Sequence, residues 1–286
     1  SEITGLESVA VFHSLFVKAA VKESNMEHRE FEAPDERNRK SDIIIADPGY
    51  FTVFNYKWLA GNKTTALKEP FAVVLTESKA HRYFGKKEAG EMLGKIIIYD
   101  DSLQVTVTGV VADLPDNTDF RFNDFISFST IQHGYRKNIF HFNEWSDDRN
   151  TQTWVKLSPA TTYSQIDKQL AGLVNRHITL KAGAKEVYRL QSLSDIHFNH
   201  DYDDNYSTKA HRPTMYGLMI IALFILILAV INFINLSTVV SATRAKEIGI
   251  RKVCGSKRMS LVIQFLGETL IVTLLAVVIS FACLQL

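Results

Sequence analysis

Six carboxylate and imidazole side chains lie close together in the second half of the chain and have the chemistry of metal ligands. They are Asp195, His197, His200, Asp201, Asp203 and Asp204. Their spacing matches no zinc motif, and the segment that carries them leads directly into a long apolar stretch. The pattern is typical of a hydrated connector, and we predict no metal site here.

Other patterns associated with catalysis or nucleotide binding are missing from the sequence. It contains no G-x-S-x-G nucleophile elbow and no GxxxxGK[ST] phosphate-binding loop, since Gly85-Lys86-Lys87 lacks the upstream glycine. The two cysteines, Cys254 and Cys283, form neither a CxxC motif nor a zinc-type pair. We therefore predict no catalytic residue and no cofactor bound by this chain.

The segment from residue 244 to residue 258 has the most distinctive polar pattern. It holds six basic residues and one acidic residue, Glu247, which stands four positions before Arg251 in the order that favours a helical ion pair. Gly255 can end such a helix. The candidate site residues are Arg244, Lys246, Glu247, Ile248, Gly249, Arg251, Lys252 and Gly255.

This charged segment has two interpretations from its residues alone. We predict a short charged helix in which Ile248, Val253 and Cys254 form an apolar strip able to dock in a groove of a partner protein. In the other interpretation, the cations only set membrane topology and contact lipid head groups.

Two apolar stretches flank the charged segment and determine its position relative to a membrane. Residues 214–243 and 259–286 are long enough to span a bilayer. By the positive-inside rule the loop 244–258 is cytoplasmic, so residues 1–212 are expected on the opposite, extracytoplasmic side. The amino-acid composition of the chain as a whole excludes disorder and a nucleic-acid-binding tail.

Three polar residues inside the apolar stretches need partners. Asn232 and Asn235 lie in the second half of the first stretch, where unpaired amides in lipid are costly, and we expect them to face another helix. Glu268 lies about ten residues into the second stretch, roughly 15 Å along a helix. A partner on a neighbouring helix is the favoured interpretation, and a proton relay is the alternative.

Residues 1–212 are predicted to form an α+β domain with two subdomains, of which residues 69–145 form an inserted one. Strands are predicted over residues 42–46, 71–75, 95–99, 103–107 and 153–157. A helix is predicted to begin at Thr76 and to end at Gly85, and a second helix begins with a capping box formed by Thr162 and Gln165. The overall expectation is this domain followed by a transmembrane α-helical hairpin.

The start and end of the sequence suggest further segments. Ser1 is preceded by no apolar stretch that could carry residues 1–212 across a membrane, so an N-terminal anchoring helix is expected. More spans are expected after residue 286.

Four runs of sequence resemble a known family of permeases. ADPGYFTVFNYKWLAGNKTTAL (46–67), FAVVLTESKAHRYFG (71–85) and GKIIIYDDSLQVTVTGVVADLP (94–115) resemble the periplasmic core of MacB-type ABC permeases. TRAKEIGIRKVCGSKRMSLVIQFLGETL (243–270) resembles the FtsX-like permease domain, with its E-I-G-x-R-K-x-x-G order. The resemblance assigns residues 1–212 to the periplasmic core and residues 213–286 to a partial permease domain.

The resemblance implies a function as well as an architecture. Such permeases are non-catalytic, multi-pass proteins of the bacterial inner membrane that act as homodimers or heterodimers with a separate cytosolic ABC ATPase, which binds the ATP. The resemblance also implies contact with membrane lipid and with a periplasmic adaptor or substrate protein, and no nucleic acid. The alternative from another class is a membrane-anchored extracytoplasmic sensor or binding protein.

Overall fold

The protein forms two compact units, Ser1–Ala210 and His211–Leu286. The computed structural model describes residues 2–22, 28–31, 41–115, 117–135, 151–178, 186–201 and 209–284. The first unit is built on a β-sheet and is called the sheet domain below, and the second is a pair of long helices, called the hairpin. The boundary between the two units, after Ala210, lies two residues before the boundary predicted from the sequence.

The described strands of the sheet domain all belong to one mixed sheet. They are β1 (Leu6–Leu15), β2 (Ala19–Lys22), β3 (His28–Phe31), β4 (Ile43–Ala46), β5 (Trp58–Gly61), β6 (Ala72–Thr76), β7 (Ile96–Tyr99), β8 (Leu103–Val111), β9 (Asp124–Ser127) and β10 (Thr151–Leu157). Their order is β10-β1-β4-β9-β6-β8-β7-β2-β3, and β5 pairs with β8 outside this path. The pairs β4–β9 and β6–β8 are parallel, and the other pairs are antiparallel.

The described helices of the sheet domain are α1 (Tyr50–Val53), α2 (Glu77–Phe84), α3 (Ser129–Gln132), α4 (Tyr163–His177) and α5 (Leu193–Ile196), with a 3₁₀ turn at Ala89–Met92. Helices α1 to α3 lie between strands, and α4 and α5 follow the last described strand. Gly85 follows α2 with a φ of +78°, a conformation that glycine adopts at little cost, and it ends the helix at the predicted position. The capping box of Thr162 and Gln165 is present at the start of α4.

Central strands are buried on both faces because successive side chains point to opposite sides of the sheet. In β4, Ile43 and Ile45 enter one core with Ile126, while Ile44 enters the other with Phe125. The second core is mainly aromatic, and it includes residues of α1. This double burial explains why β4 and β6 are continuous apolar runs in the sequence rather than alternating ones.

The predicted inserted subdomain at residues 69–145 is not a separate body in the described residues. Strands β6 to β9 all come from this segment, yet β9 pairs with β4 along Ile43–Ala46, and β7 pairs with β2. The segment therefore completes the same sheet as residues 6–46. The sequence pattern showed where the strands lie but not which strands are neighbours.

The hairpin consists of α6 (Arg212–Val253) and α7 (Arg258–Leu284). Arg212–Ala242 and Arg258–Leu284, 31 and 27 residues, are long and apolar enough to cross a membrane. The charged segment is not the separate short helix that the sequence predicted, because α6 continues through it to Val253. Neither proline nor a cap interrupts residues 243–253, and Gly249 is tolerated within the helix.

Candidate functional site

The charged residues predicted as a site lie on the last three turns of α6, next to the turn that joins it to α7. This region, residues 244–258, is called the basic turn below. The helix ends in a Schellman motif, in which the N–H of Gly255 donates to the carbonyl of Lys252 and the N–H of Ser256 donates to that of Arg251. Gly255 has a φ of +93°, so the motif favours glycine there.

The predicted i,i+4 pair is present on α6, where Arg251 Nη2 donates to Glu247 Oε1 over 2.6 Å. Arg244, which precedes Glu247 by three residues, instead reaches across to α7. Its Nη1 donates to Glu268 Oε2 over 2.7 Å. Glu268 thus has its partner on the neighbouring helix, as the favoured interpretation of its position required.

Gln264 joins these two pairs, and it was not among the residues selected from the sequence. It accepts a hydrogen bond from Arg251 Nη1 over 3.0 Å and donates to Glu268 Oε1 over 3.3 Å. A continuous network therefore runs from Arg244 through Glu268, Gln264 and Arg251 to Glu247. The i,i+4 spacing of Gln264 and Glu268 was a visible signal, but the register of α7 against α6 was not.

The tip of the basic turn exposes apolar side chains. Val253 is 89% exposed, Met259 is 68% exposed and Ile250 is 61% exposed. Cys254 is also exposed, whereas Ile248 is half-buried, so the exposed apolar strip is formed around Val253 rather than Ile248. Charged and apolar groups at this tip are therefore accessible to another molecule.

Asn232 and Asn235 are exposed along α6, and α7 does not cover them. The nearby hydroxyl of Thr238 is satisfied within the helix, where it donates to the carbonyl of Ile234 over 2.8 Å. Packing of the two amides against another helix therefore stays a prediction, and it concerns a helix outside this hairpin.

Two of the candidate metal ligands, Asp195 and His197, bond to other polar groups. His197 Nδ1 lies 3.0 Å from Asp119 Oδ2, and Asp195 accepts hydrogen bonds from Gln191 and Asn199. In the ranges that the structure describes, no three His, Cys, Asp or Glu side chains converge as metal ligands would. Asp203 and Asp204 lie outside these ranges.

A second charged cluster, which the sequence analysis did not identify, lies inside the sheet domain. The carboxylate of Asp124 is fully buried and accepts hydrogen bonds on Oδ2 from the hydroxyls of Tyr83, over 2.7 Å, and Tyr99, over 2.5 Å. Lys79 Nζ lies 3.9 Å from Asp124 Oδ1 and 2.5 Å from Asp42 Oδ2. These five residues are called the buried cluster below.

Burial dominates the electrostatics of this buried cluster. It raises the pKa of Asp124 to about 6, although the Lys79 ammonium and the two tyrosine hydroxyls oppose the shift. Burial also raises the pKa of Tyr83 and Tyr99 well above the ordinary value, so both remain hydrogen-bond donors. Among the residues that the structure describes, Asp124 Oδ1 is buried without a hydrogen-bond partner and has only the Lys79 ammonium, 3.9 Å away, to offset its charge. The hydrogen bonds and ion pairs that join the five side chains fit a structural role.

Comparison with known proteins gives matches over both units. A family model for the MacB-like periplasmic core domain matches residues 5–173, and one for the FtsX-like permease C-terminal region matches residues 219–285. The chain is 25% identical over 247 residues to a Pseudomonas fluorescens protein named as a probable export ATP-binding/permease protein. That alignment covers 79% of this chain but only 32% of the relative, so the chain spans about a third of the relative's length.

Two solved structures are also similar to the chain. One is a domain of a permease protein from Porphyromonas gingivalis, with 20% identity and a TM-score of 0.49 over 68% of this chain and 84% of the other. The other is the periplasmic region of MacB from Actinobacillus actinomycetemcomitans, with 20% identity and a TM-score of 0.42 over 61% of this chain and 69% of the other.

Proposed function

The chain belongs to the MacB-like periplasmic core domain family, and from that premise we propose that it is part of a non-catalytic permease subunit of an ABC transporter. Hydrolysis of ATP by a separate cytosolic ATPase drives it. The relative from Pseudomonas fluorescens, whose name joins ATP binding to a permease, supports an ATPase partner. Residues 1–286 carry no phosphate-binding loop of their own.

The single observation that carries this proposal is the basic turn. It extends α6 beyond its apolar stretch and contains six basic residues, close to the exposed side chains of Ile250, Val253 and Met259. A helix end with an apolar strip and a charged border is suited to a groove on a partner protein. Topology signalling alone would not require exposed valine and isoleucine at the tip.

The proposed site of action is the bacterial inner membrane, with residues 1–212 in the periplasm and the basic turn in the cytoplasm. Closure of two ATPase subunits displaces the end of α6, and the rigid helix carries this movement towards the sheet domain. The charge-free stretch of α6 offers no hydrophilic conduit, so the work is done on a substrate or adaptor protein at the periplasmic side. A dimer of permeases, with Asn232 and Asn235 packed on a neighbouring helix, completes the proposal.

The test is the Glu247→Lys variant of the full-length protein, reconstituted in lipid nanodiscs with its ATPase. The substitution removes the 2.6 Å pair with Arg251 and reverses a charge at the proposed interface. Reversal of a charge fitted to a partner commonly costs several kcal/mol, so we expect stimulation of ATP hydrolysis to fall at least about tenfold. Hydrolysis is measured as phosphate release with and without the permease.

A matched control comes from the sheet domain, where Glu7 forms an ion pair of the same length with Lys156. Glu7→Lys should leave stimulation unchanged. Normal stimulation by Glu247→Lys would contradict docking through the basic turn. ATP hydrolysis by the purified permease without an added ATPase would contradict the proposal that the ATPase is a separate protein.

A further inference from the structure

The network at the basic turn connects the two helices at two levels. Arg244 binds Glu268 at the first level, and Arg251 binds Gln264 at the second. Arg244 and Arg251 are two turns apart on one face of α6, roughly 10 Å along its axis, while Gln264 and Glu268 are one turn apart on α7. Two contacts at separate heights limit both separation and sliding of the helices, whereas one contact would act as a pivot.

The position of the first contact along the helices is informative. From Arg244 towards residue 212, α6 contains no charged residue before Arg212, and from Glu268 onward α7 contains none. The Arg244–Glu268 pair therefore marks the point where both helices enter their charge-free stretches. Glu268 is not an isolated carboxylate deep in an apolar helix but lies level with the end of the first span.

The hairpin extends about ten residues beyond this pair on each helix, or roughly 15 Å. The connection at its tip is short, because the Schellman motif closes α6 at Gly255 and α7 begins at Arg258. A force applied at the tip acts on two rigid arms whose only described polar cross-links are Arg244–Glu268 and Arg251–Gln264.

We propose that Glu268 and Gln264 are positioning residues, which hold α7 against the charged end of α6 so that a displacement of the basic turn moves both spans together. The transmission of movement rests on the proposed function, because an ATPase must supply the displacement. The cross-links themselves are a property of the hairpin alone. Arg244 and Arg251 are then partly engaged within the permease, and Lys246 and Lys252 remain as the cations on the last turns of α6 available to a partner.

The experiment reverses the charges of one cross-link singly and together. Arg244→Glu places two carboxylates in contact, Glu268→Arg places two guanidinium groups in contact, and the double variant restores an opposite pair. Thr273→Ala is the control on α7, because its hydroxyl donates to the carbonyl of Thr269 over 2.9 Å within the helix. All variants are made in the full-length protein in nanodiscs, with Cys254 and Cys283 replaced by serine.

The first readout is the distance between spin labels at Ala245 and Val262, measured without ATPase. We expect a narrow distribution in the wild type and the control, a broader and longer one in each single variant, and recovery in the double variant. An unchanged distribution in the single variants would overturn the cross-link, whatever the outcome for the proposed function.

The second readout is stimulation of the ATPase at saturating permease, with binding of the two proteins measured separately. We expect each single variant to lose at least about fivefold of the stimulation, the low end of typical coupling between sites, while binding stays within about twofold. The double variant should recover. Altered distances with full stimulation would show that the cross-link does not transmit movement. Absence of stimulation in the wild type would instead refute the proposed function, while the label distances would still decide on the cross-link.

Discussion

The sheet domain and the hairpin each contain a charged cluster linked by hydrogen bonds, and the two clusters differ in exposure. In the sheet domain, Asp124 is fully buried and the Lys79 side chain is 10% exposed. In the hairpin, the side chains of Arg244 and Glu268 are 44% and 45% exposed. When a buried polar group loses its hydrogen-bond partner, it is left unpaired because water cannot reach it. When an exposed group loses its partner, water takes the partner's place. The buried cluster therefore stabilises the fold of the sheet domain, whereas breaking a pair in the exposed cluster should cost less free energy of unfolding.

The largest effect is expected from Asp124→Ala. The substitution leaves the hydroxyls of Tyr83 and Tyr99 without their acceptor and removes one of the two carboxylates near Lys79. Removing one partner of a buried charged group costs about 3–5 kcal/mol, and we expect that loss in the free energy of unfolding of a fragment ending at Ala210. Urea denaturation measures it. Glu7→Ala, at an exposed pair, should change it by less than about 0.5 kcal/mol, and equal losses in the two variants would contradict the distinction.

A smaller effect is expected from the backbone next to the aromatic core. A Cβ on Gly49 would lie 2.0 Å from the carbonyl oxygen of Val9 in β1, which is backbone and cannot turn aside. We expect Gly49→Ala to lower the free energy of unfolding by about 1–3 kcal/mol. Gly90→Ala is the matched control, since a Cβ there would meet no atom within 4 Å. If Gly49→Ala left the free energy of unfolding unchanged, β1 and α1 would be less closely packed than described.

The pH dependence of stability gives a second test of the burial of Asp124. Its pKa is raised to about 6 in the folded domain from an ordinary 3.8, so the folded state holds the proton more tightly than the unfolded chain. The contribution of this group to stability is complete below about pH 4 and is lost as the pH rises to about 6, by up to about 1.4 kcal/mol per pH unit. Asp124→Asn does not titrate. Its stability relative to the wild type should therefore rise over this window, and a difference independent of pH would contradict the shift.

The smallest effect on folding is expected in the hairpin. Glu247→Lys breaks an exposed i,i+4 pair, and such pairs contribute about 0.3–0.5 kcal/mol. The yield of membrane-inserted protein and its thermal unfolding temperature should therefore match those of the wild type, although the same variant is expected to lose ATPase stimulation. Poor insertion of Glu247→Lys would assign this exposed cluster a structural role like that of the buried one.

Sequence patterns predicted some of the local elements of both units, where the physical signal was local, and did not locate others such as β1 and β9. Gly85 after α2, the apolar run of β4 and the charge-free stretch of α6 each identify an element within a few residues. The buried cluster could not be predicted in this way. Asp42, Lys79 and Asp124 are separated by tens of residues, and only the pairing of β9 with β4 and β6 brings them together.

The continuous helix through the basic turn was missed for a different reason. Charge density changes abruptly at Arg244, but helix formation depends on backbone hydrogen bonds, which no residue before Gly255 interrupts. A change of environment along a chain is therefore not a change of secondary structure. The role of Gln264 likewise depends on the register of two antiparallel helices, and composition does not specify that register.

Cysteine labelling in intact cells tests whether the sheet domain and the basic turn lie on opposite sides of a membrane, as proposed. With Cys254 and Cys283 replaced by serine, single cysteines are placed at Asn117, in the sheet domain, and at Ser256, in the basic turn. An impermeant maleimide added outside the cytoplasmic membrane should label the cysteine at residue 117 and reach the one at residue 256 only after that membrane is permeabilised. Labelling of residue 256 in intact cells, with protection of residue 117, would contradict the proposed topology.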